Sequence, residues 1–403
     1  MYQTVIDFIR ALYRNPAFIP LHEPRFLGNE KKYVADAIES TFVSSVGEYV
    51  NRFEKMVQDL TGAVGAVATV NGTAALHAAL LLAGVRRDDE VITQPISFVA
   101  TANAIAYCGA APAFLDVDRS TLGLSAEALE EFLRECTYIR KDGRVYDKAN
   151  GRRIGACVPM HTFAHPCAID RIAQLCKEFC VPLVEDAAES LGSLFRGRHS
   201  GTYGRYGIFS FNGNKTVTSG GGGIIVTSDP LLAQHAKHLT TTAKLPHPYE
   251  YDHDIIGYNY RLPNLNAALA CAQLEQLDGF LRAKRRLAQT YAAFFQRLGL
   301  PFIVEPKEAQ SNYWMNAILL PDRRERDVFL EATNKGGVMT RPLWRLLNRL
   351  PMYTDCVTDS LENARWLADR IVNIPSSVIP AFLHDESAGR LTASSTPGPA
   401  TKP

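Results

Sequence analysis

The sequence predicts an α/β fold: a large, mostly parallel sheet covered by helices, followed by a smaller α+β domain. Three observations carry this. Between about 62 and 228, short apolar runs alternate with helical patterns, the order that a parallel sheet with crossover helices requires. Beyond about 288 that alternation gives way to a mixed pattern. The 403 residues, 46% of them hydrophobic, suffice for both units and a substantial core.

Residues 1–60 read as an N-terminal segment that packs on the large domain. MYQTVIDFIRALYRNP sets Asp7 inside an amphipathic stretch and lacks the charged start and apolar block of a signal peptide. The large domain, 61–287, begins with Val64–Val70 as a buried strand and Thr73–Leu82 as a helix. Glu90–Thr93 (strand), Phe98–Tyr107 (helix) and Ala113–Val117 (strand) follow. Ala156–Met160 and Val181–Glu185 repeat the strand pattern around an Ile169–Phe179 helix, and Gly207–Phe211 and Gly223–Thr227 read as two further strands. Asn264–Tyr291 reads as one long helix leading out of this domain. In the small domain, 288–380, Trp314–Leu320 and Gly337–Arg341 carry the ordered pattern. From 381 to 403 the composition turns to Ser, Thr, Pro, Gly and Ala, which reads as a disordered tail.

Residues of about 137–155 interrupt the alternation with RKDGRVYDKANGRR, whose Asp142-Gly143 and Asn150-Gly151 pairs are turn signals for an inserted hairpin. It reads either as a solvated loop or as an element near the substrate or a subunit contact. Val91–Leu115 holds no charge, but Gln94, Pro95, Asn103, Gly109 and Pro112 break any membrane span. The 43 Lys plus Arg against 42 Asp plus Glu give no reason to expect nucleic acid as a partner. Eight cysteines without CxxC pairs point to reduced thiols and a cytoplasmic location.

Four places carry chemistry. Asn71-Gly72-Thr73 stands at a strand-to-helix junction, where Gly72 admits a phosphate to the backbone and Thr73 offers a hydroxyl and a free N–H at a helix start. The same residues also suit an ordinary N-cap. Asp186, in Val184–Ser190, falls at the carboxyl end of a strand, where ligands of open α/β sheets sit. A carboxylate there can pair with a protonated pyridine nitrogen, or simply cap a following helix. Lys215 follows a buried-looking strand and precedes Gly220–Gly223, a setting that takes an amine out of water as a Schiff-base lysine needs. Ser210 adds a hydroxyl. Gly257–Asn264 packs polar and aromatic residues ahead of the long helix, as either a cap or a binding loop.

Taken in order, these pieces resemble the DegT-type (DegT/StrS) sugar aminotransferases, a branch of the fold-type I transferases that depend on pyridoxal 5'-phosphate. The likeness runs from about Phe18 to Pro380. It rests on Phe26-Leu27-Gly28, Tyr49–Glu54, NGTAAL at Asn71–Leu76, SFVATANAI at Ser97–Ile105, FLDVD at Phe114–Asp118, VEDAAES, FSFNGNK and GYNYRLPNLNAAL at Gly257–Leu269. The resemblance implies that Lys215 carries the cofactor as a Schiff base, that Asp186 partners its ring nitrogen and that Phe98 stacks on the ring. It assigns Gly72, Thr73 and Ser210 to the phosphate. Asn259 matches an asparagine that reaches the phosphate held by the neighbouring subunit, which implies a homodimer with shared sites. Glu189 stands where many members carry Gln or His, near the cofactor's phenolic oxygen, and Asn212 replaces a frequent His or Tyr.

VSSVGEYVNRFE at Val43–Glu54, the 137–155 insertion and FNGNKTVTSGGGG resemble, more narrowly, the aminotransferases of legionaminic acid and related diamino-sugar pathways. Those members aminate C4 of a nucleotide-linked 4-keto-6-deoxy-N-acetylhexosamine, with L-glutamate as donor by family analogy. Two alternatives stay open: a cyclitol or other keto-sugar aminotransferase on the same scaffold, and a non-catalytic PLP-binding regulator. The sugar 3-dehydratase relatives are disfavoured, because they carry His where Lys215 stands.

Two further patterns have bland readings. His161, His165, Cys176 and Cys180 are spaced like zinc ligands, but Ile169, Ile172, Ala173, Cys176 and Phe179 form one apolar helix face. The cysteines are then buried hydrophobes, and His161 is expected at the active-site rim. The basic run Arg282–Arg286 reads as the solvated face of a helix.

Overall fold

A computed structural model of the chain describes residues 2–383. The sheet strands are β1 (Gly65–Thr69), β2 (Glu90–Thr93), β3 (Ala111–Phe114), β4 (Ile154–Val158), β5 (Val184–Asp186), β6 (Tyr206–Ser210) and β7 (Gly223–Thr227). They pair as β3-β2-β4 and β5-β6-β7-β1, and the parallel bridges Cys157–Leu183 and Met160–Asp186 join the two groups. The continuous order is β3-β2-β4-β5-β6-β7-β1. Only β7 runs against its neighbours. Every residue of β1, β4 and β7 is buried, the mark of strands covered on both faces. The mostly parallel sheet is thus present, with Glu90–Thr93 and Gly223–Thr227 as expected and the other strand ends within three residues of their expected places.

The site's position follows from this topology. β1, β5 and β6 end at one edge, and β7 begins there, with Gly223 opposite both Thr69 and Ser210. Gly223 is obligatory at that spot: a Cβ would lie 2.4 Å from the Asn71 carbonyl carbon and oxygen and 2.6 Å from Gly72 N. The glycine run after Lys215 therefore lets one strand pass directly beneath the Asn71-Gly72 turn.

The 137–155 insertion is a hairpin, Thr137–Ile139 against Val145–Asp147, with Gly143 at φ 74 in the Asp-Gly turn. It docks through Asn150 Nδ2 on Glu90 Oε1, 2.6 Å away. Glu90 starts β2, so the hairpin sits at the amino end of the sheet and away from the edge where β5 and β6 end.

The small unit has a three-stranded antiparallel sheet, with Ile371–Ile374 between Asn316–Leu319 and Arg341–Pro342, and helix Arg323–Lys335. The first helix, Tyr2–Tyr13, packs here: Val5, Ile6 and Ile9 share a core with Ile318, Phe329 and Ile374. An amphipathic stripe announces that it will be covered but not by what, so the sequence assigned this helix to the large domain instead.

The long helical stretch is two helices, Asn264–Leu274 and Leu277–Arg297. At the break, Gln273 and Gln276 each donate to Glu30 Oε1 at 2.6 Å, a long-range contact that periodicity does not register. The basic run is not uniformly solvated, because Lys284 is fully buried. It shares a helix stripe with buried Leu277, Phe280, Leu287 and Tyr291 at three- and four-residue spacing. Within the described residues, Pro380–Phe382 forms a short 3-10 turn with Arg286 4.6 Å from the Phe382 ring. The rest of the expected tail, 384–403, lies outside the described residues.

Candidate active site

Seven of the eight residues singled out from sequence line one cavity of about 350 Å³ at the carboxyl edge of the sheet: Lys215, Asp186, Glu189, Gly72, Thr73, Ser210 and Phe98. That volume suits a bound small molecule.

At one end is an anion cradle. The helix Gly72–Ala83 is capped by Asn71, whose Oδ1 accepts from Ala74 N at 2.7 Å. The first intrahelical bond runs from Ala75 N to Asn71 O, so the N–H groups of Gly72 and Thr73 lie ahead of it, at the positive end of the helix. Asn71 does the capping, which leaves Thr73 facing the cavity. A Cβ on Gly72 would come 3.0 Å from the Ser210 Cβ, so the Ser210 hydroxyl closes on the turn from the end of β6.

Asp186 ends β5 with both oxygens engaged: Thr101 Oγ1 donates to Oδ2 at 2.7 Å and Ala188 N to Oδ1 at 3.2 Å. Turns rather than a helix follow it, so it caps nothing. Burial raises its pKa, and the Thr101 and Ala188 hydrogen bonds pull the other way. Thr101 in turn shares a 2.6 Å hydrogen bond with Ser97, which fixes the hydroxyl against the carboxylate.

Lys215 leaves β6 through a tight turn, its N–H donating to Asn212 O at 3.0 Å. Its side chain is 14% exposed, with Nζ 3.4 Å from Glu189 Oε1 and 4.1 Å from the Trp314 ring centroid. The indole N–H donates to Asn214 O at 2.7 Å. Glu189 is buried, and its second oxygen accepts from Phe163 N at 2.9 Å. Burial pushes its carboxyl up to about 7, against the pull of Lys215. A largely desolvated amine thus stands between a buried carboxyl and an aromatic face, the surroundings in which a nucleophilic lysine works.

Phe98 is 55% exposed although it lines the cavity, so its ring offers an open apolar face. Asn259 lies apart from the cavity, on an exposed segment where Arg261 Nε donates to its Oδ1 at 3.2 Å. His161 departs from its expected rim position. It is fully buried, with Nδ1 accepting from Cys167 N at 3.3 Å and Nε2 3.1 Å from Glu185 Oε2. Glu185 also accepts from the N–H groups of Gly201, Tyr203 and Gly204. Strand alternation sends Glu185 away from the cavity and Asp186 into it, so His161 and Glu185 brace the floor. Of the paired cysteines Cys176 is buried, but Cys180 is exposed, because the helix ends at Glu178 and Cys180 turns out at φ 54.

Among the wall residues not anticipated from the sequence are Thr101, Trp314 and Trp344. Thr101 follows Phe98 by one helical turn, a usable signal. The tryptophans arrive from the small domain about a hundred residues later, and nothing local marks them.

An aminotransferase site with pyridoxal phosphate fits this geometry, and the chain belongs to the DegT/DnrJ/EryC1/StrS aminotransferase family, whose model matches residues 26–388. It is 35% identical over 361 residues to GDP-perosamine synthase of Escherichia coli O157:H7, covering 89% of this chain and 93% of the relative. It is 36% identical over 346 residues to the pyridoxal phosphate-dependent aminotransferase EpsN of Bacillus subtilis, which is described as putative, covering 86% of each. Among solved structures, the aminotransferase TlmJ from Streptoalloteichus hindustanus superposes with a TM-score of 0.80 at 29% identity, over 89% of this chain and 93% of that one. The protein is a pyridoxal phosphate-dependent aminotransferase with the fold-type I architecture. The cavity accommodates the group: a helix-start cradle with a free Thr73 hydroxyl for the phosphate, a buried carboxylate for the ring nitrogen and one amine to hold it.

Proposed function

We propose that this enzyme moves an amino group from L-glutamate to C4 of a nucleotide-linked 4-keto-6-deoxy-N-acetylhexosamine, in amino-sugar biosynthesis of the legionaminic acid kind. The observation that carries the aminotransferase site is the placement of Lys215 Nζ 3.4 Å from Glu189 in the same cavity as buried Asp186 and the Gly72–Thr73 cradle. The nucleotide-sugar reading is supported by the relatives named GDP-perosamine synthase, and these favour a second reading, in which the sugar is GDP-linked.

Bound pyridoxal phosphate supplies an electron sink for the carbanion left when an amino acid loses its α-proton. Gly72, Thr73 and Ser210 would hold the phosphate, Phe98 would cover a ring face and Asp186 would keep the ring nitrogen protonated. The Lys215 amine takes the α-proton of the donor and hands a proton back on the other side of the transfer. Glu189 orients that amine, and Trp314 keeps water from it. One site then serves two substrates in turn, 2-oxoglutarate leaving before the keto-sugar enters, which gives ping-pong kinetics.

Asn259 enters this reading through a homodimer, as a contact to the neighbouring site. Its exposed surroundings support that: Tyr249, Tyr251, Ile255 and Ile256 stand out in solvent just ahead of it, an unusual apolar grouping for a surface. A cytoplasmic location is supported by eight free thiols, and among the described residues no helix is long and apolar enough to cross a membrane.

The test is a two-stage assay. Glutamate alone should release one equivalent of 2-oxoglutarate per site, and a panel of UDP-, GDP- and dTDP-linked 4-keto-6-deoxy sugars, read by mass spectrometry, should yield one preferred amino-sugar. A protein that binds the cofactor but leaves glutamate untouched would instead be a binding module or use another donor. Turnover of a cyclitol ketone in preference to every nucleotide sugar would replace the substrate.

A further inference from the structure

Lys284 is a fully buried lysine that none of the steps above uses. It lies in the middle of the helix Leu277–Arg297, and among the described residues no carboxylate is paired with it. Its Nζ instead meets three backbone carbonyls, those of Ser376 at 2.8 Å, Trp314 at 3.2 Å and Tyr313 at 3.4 Å. Three donors on the ammonium match three acceptors. A buried charge is costly even when satisfied, and an apolar side chain would hold a helix in a core at less expense.

Two of those carbonyls, of Tyr313 and Trp314, belong to the segment that covers Lys215; the third is that of Ser376, just after strand Ile371–Ile374. The Trp314 residue is held at three points: its N–H donates to Asn312 Oδ1 at 2.6 Å, its indole N–H to Asn214 O at 2.7 Å, and its carbonyl accepts from Lys284. Asn312 also donates to the Glu189 carbonyl at 2.8 Å. Tyr313, immediately before Trp314, has φ 50, a left-handed conformation that a tyrosine adopts only when its surroundings impose it. Lys284 grips the carbonyls on both sides of the Tyr313–Trp314 junction.

We propose that Lys284 is a positioning residue for the active site: by gathering the carbonyls of Tyr313, Trp314 and Ser376 it holds the strained turn that sets the Trp314 indole over the Lys215 amine. It acts through Trp314 and touches neither substrate nor cofactor. This rests on the reading of Lys215 as the reactive amine.

The experiment compares K284M, W314F and the double variant with wild type in three readouts: the thermal midpoint and the Trp314 fluorescence of apo protein, and the glutamate half-reaction of holoenzyme. K284M keeps the length of the chain and removes every donor. The inference expects K284M to shift the Trp314 emission, assigned by difference from W314F, and to slow the half-reaction by about 10- to 100-fold. It expects W314F to show a similar loss and the double variant to show no further one. K284Q, which retains two donors, should recover most of the rate; should K284M fail to fold, K284Q against W314F carries the same comparison. A lower thermal midpoint for K284M, with unchanged Trp314 emission and a half-reaction within about twofold of wild type, would reduce Lys284 to a structural tie and overturn the inference. Fully additive losses in the double variant would overturn it too. A wild-type holoenzyme inert to glutamate would count against the proposed function, and the emission readout would still decide the role of Lys284.

Discussion

Glu189 and Lys215 meet at 3.4 Å in the cavity, the carboxyl buried and the amine nearly so, and the rest of the site is arranged around that pair. Burial pushes the Glu189 carboxyl up to about 7, while Lys215 and the Phe163 N–H oppose the rise. The folded apo protein therefore keeps a proton that the unfolded chain gives up near 4.5. With more protons bound folded than unfolded, stability falls as pH rises from about 4.5 to about 7.

The first prediction follows from that sign. Chemical unfolding of apo protein at pH 5 and pH 8 should show wild type losing up to about 3 kcal/mol relative to Glu189→Gln. Equal pH dependence in the two proteins would mean that Glu189 is not the titrating group.

Asp186 is the second. Its two hydrogen bonds to Thr101 and Ala188 leave it rigid and buried. Asp186→Asn keeps the shape and removes the charge that the ring nitrogen needs, so turnover should fall by about 10²–10³-fold with the circular dichroism spectrum intact. Turnover within a few-fold of wild type would remove Asp186 from the chemistry.

Two glycines supply a matched pair. A Cβ on Gly223 would strike the Asn71 carbonyl, whereas one on Gly213 meets nothing within 4 Å. Gly223→Ala should push β7 off the phosphate cradle, costing about 1–3 kcal/mol and weakening cofactor binding, read by thermal midpoint and cofactor titration. Gly213→Ala should leave both near wild type. Equal behaviour of the pair would show that the cradle tolerates displacement.

Lys284 makes the opposite pH prediction from Glu189. Burial lowers its pKa from 10.5 to about 7, so the unfolded chain binds the extra proton across that window and stability rises with pH through it. Relative to Lys284→Met, wild-type apo protein should gain up to about 5 kcal/mol between pH 7 and pH 10. A flat difference would place the amine in contact with water.

Much of this was legible in the chain. The alternation between 62 and 228 gave the sheet, and motif order brought Gly72, Thr73, Phe98, Asp186, Glu189, Ser210 and Lys215 to one place, because residues that follow the carboxyl ends of β1, β2, β5 and β6 converge by topology alone. What stayed hidden depended on contacts between distant segments. Trp314 and Trp344 come from another unit, the helix break at Gln276 answers Glu30, and the helix Tyr2–Tyr13 chose the small unit for its apolar stripe. His161 looked like a rim residue because its partner, Glu185, is visible only once β4 and β5 lie side by side. Lys284 sat on an apolar helical stripe in plain view, but the charges around it suggested solvent.

The central claim is that Lys215 is the cofactor's lysine, and one measurement tests it directly. Holoenzyme reduced with borohydride, digested and analysed by mass spectrometry should carry the pyridoxyl group on Lys215 alone, and Lys215→Ala should lose both that label and the glutamate half-reaction. A label on any other lysine, or full turnover by Lys215→Ala, would contradict the account.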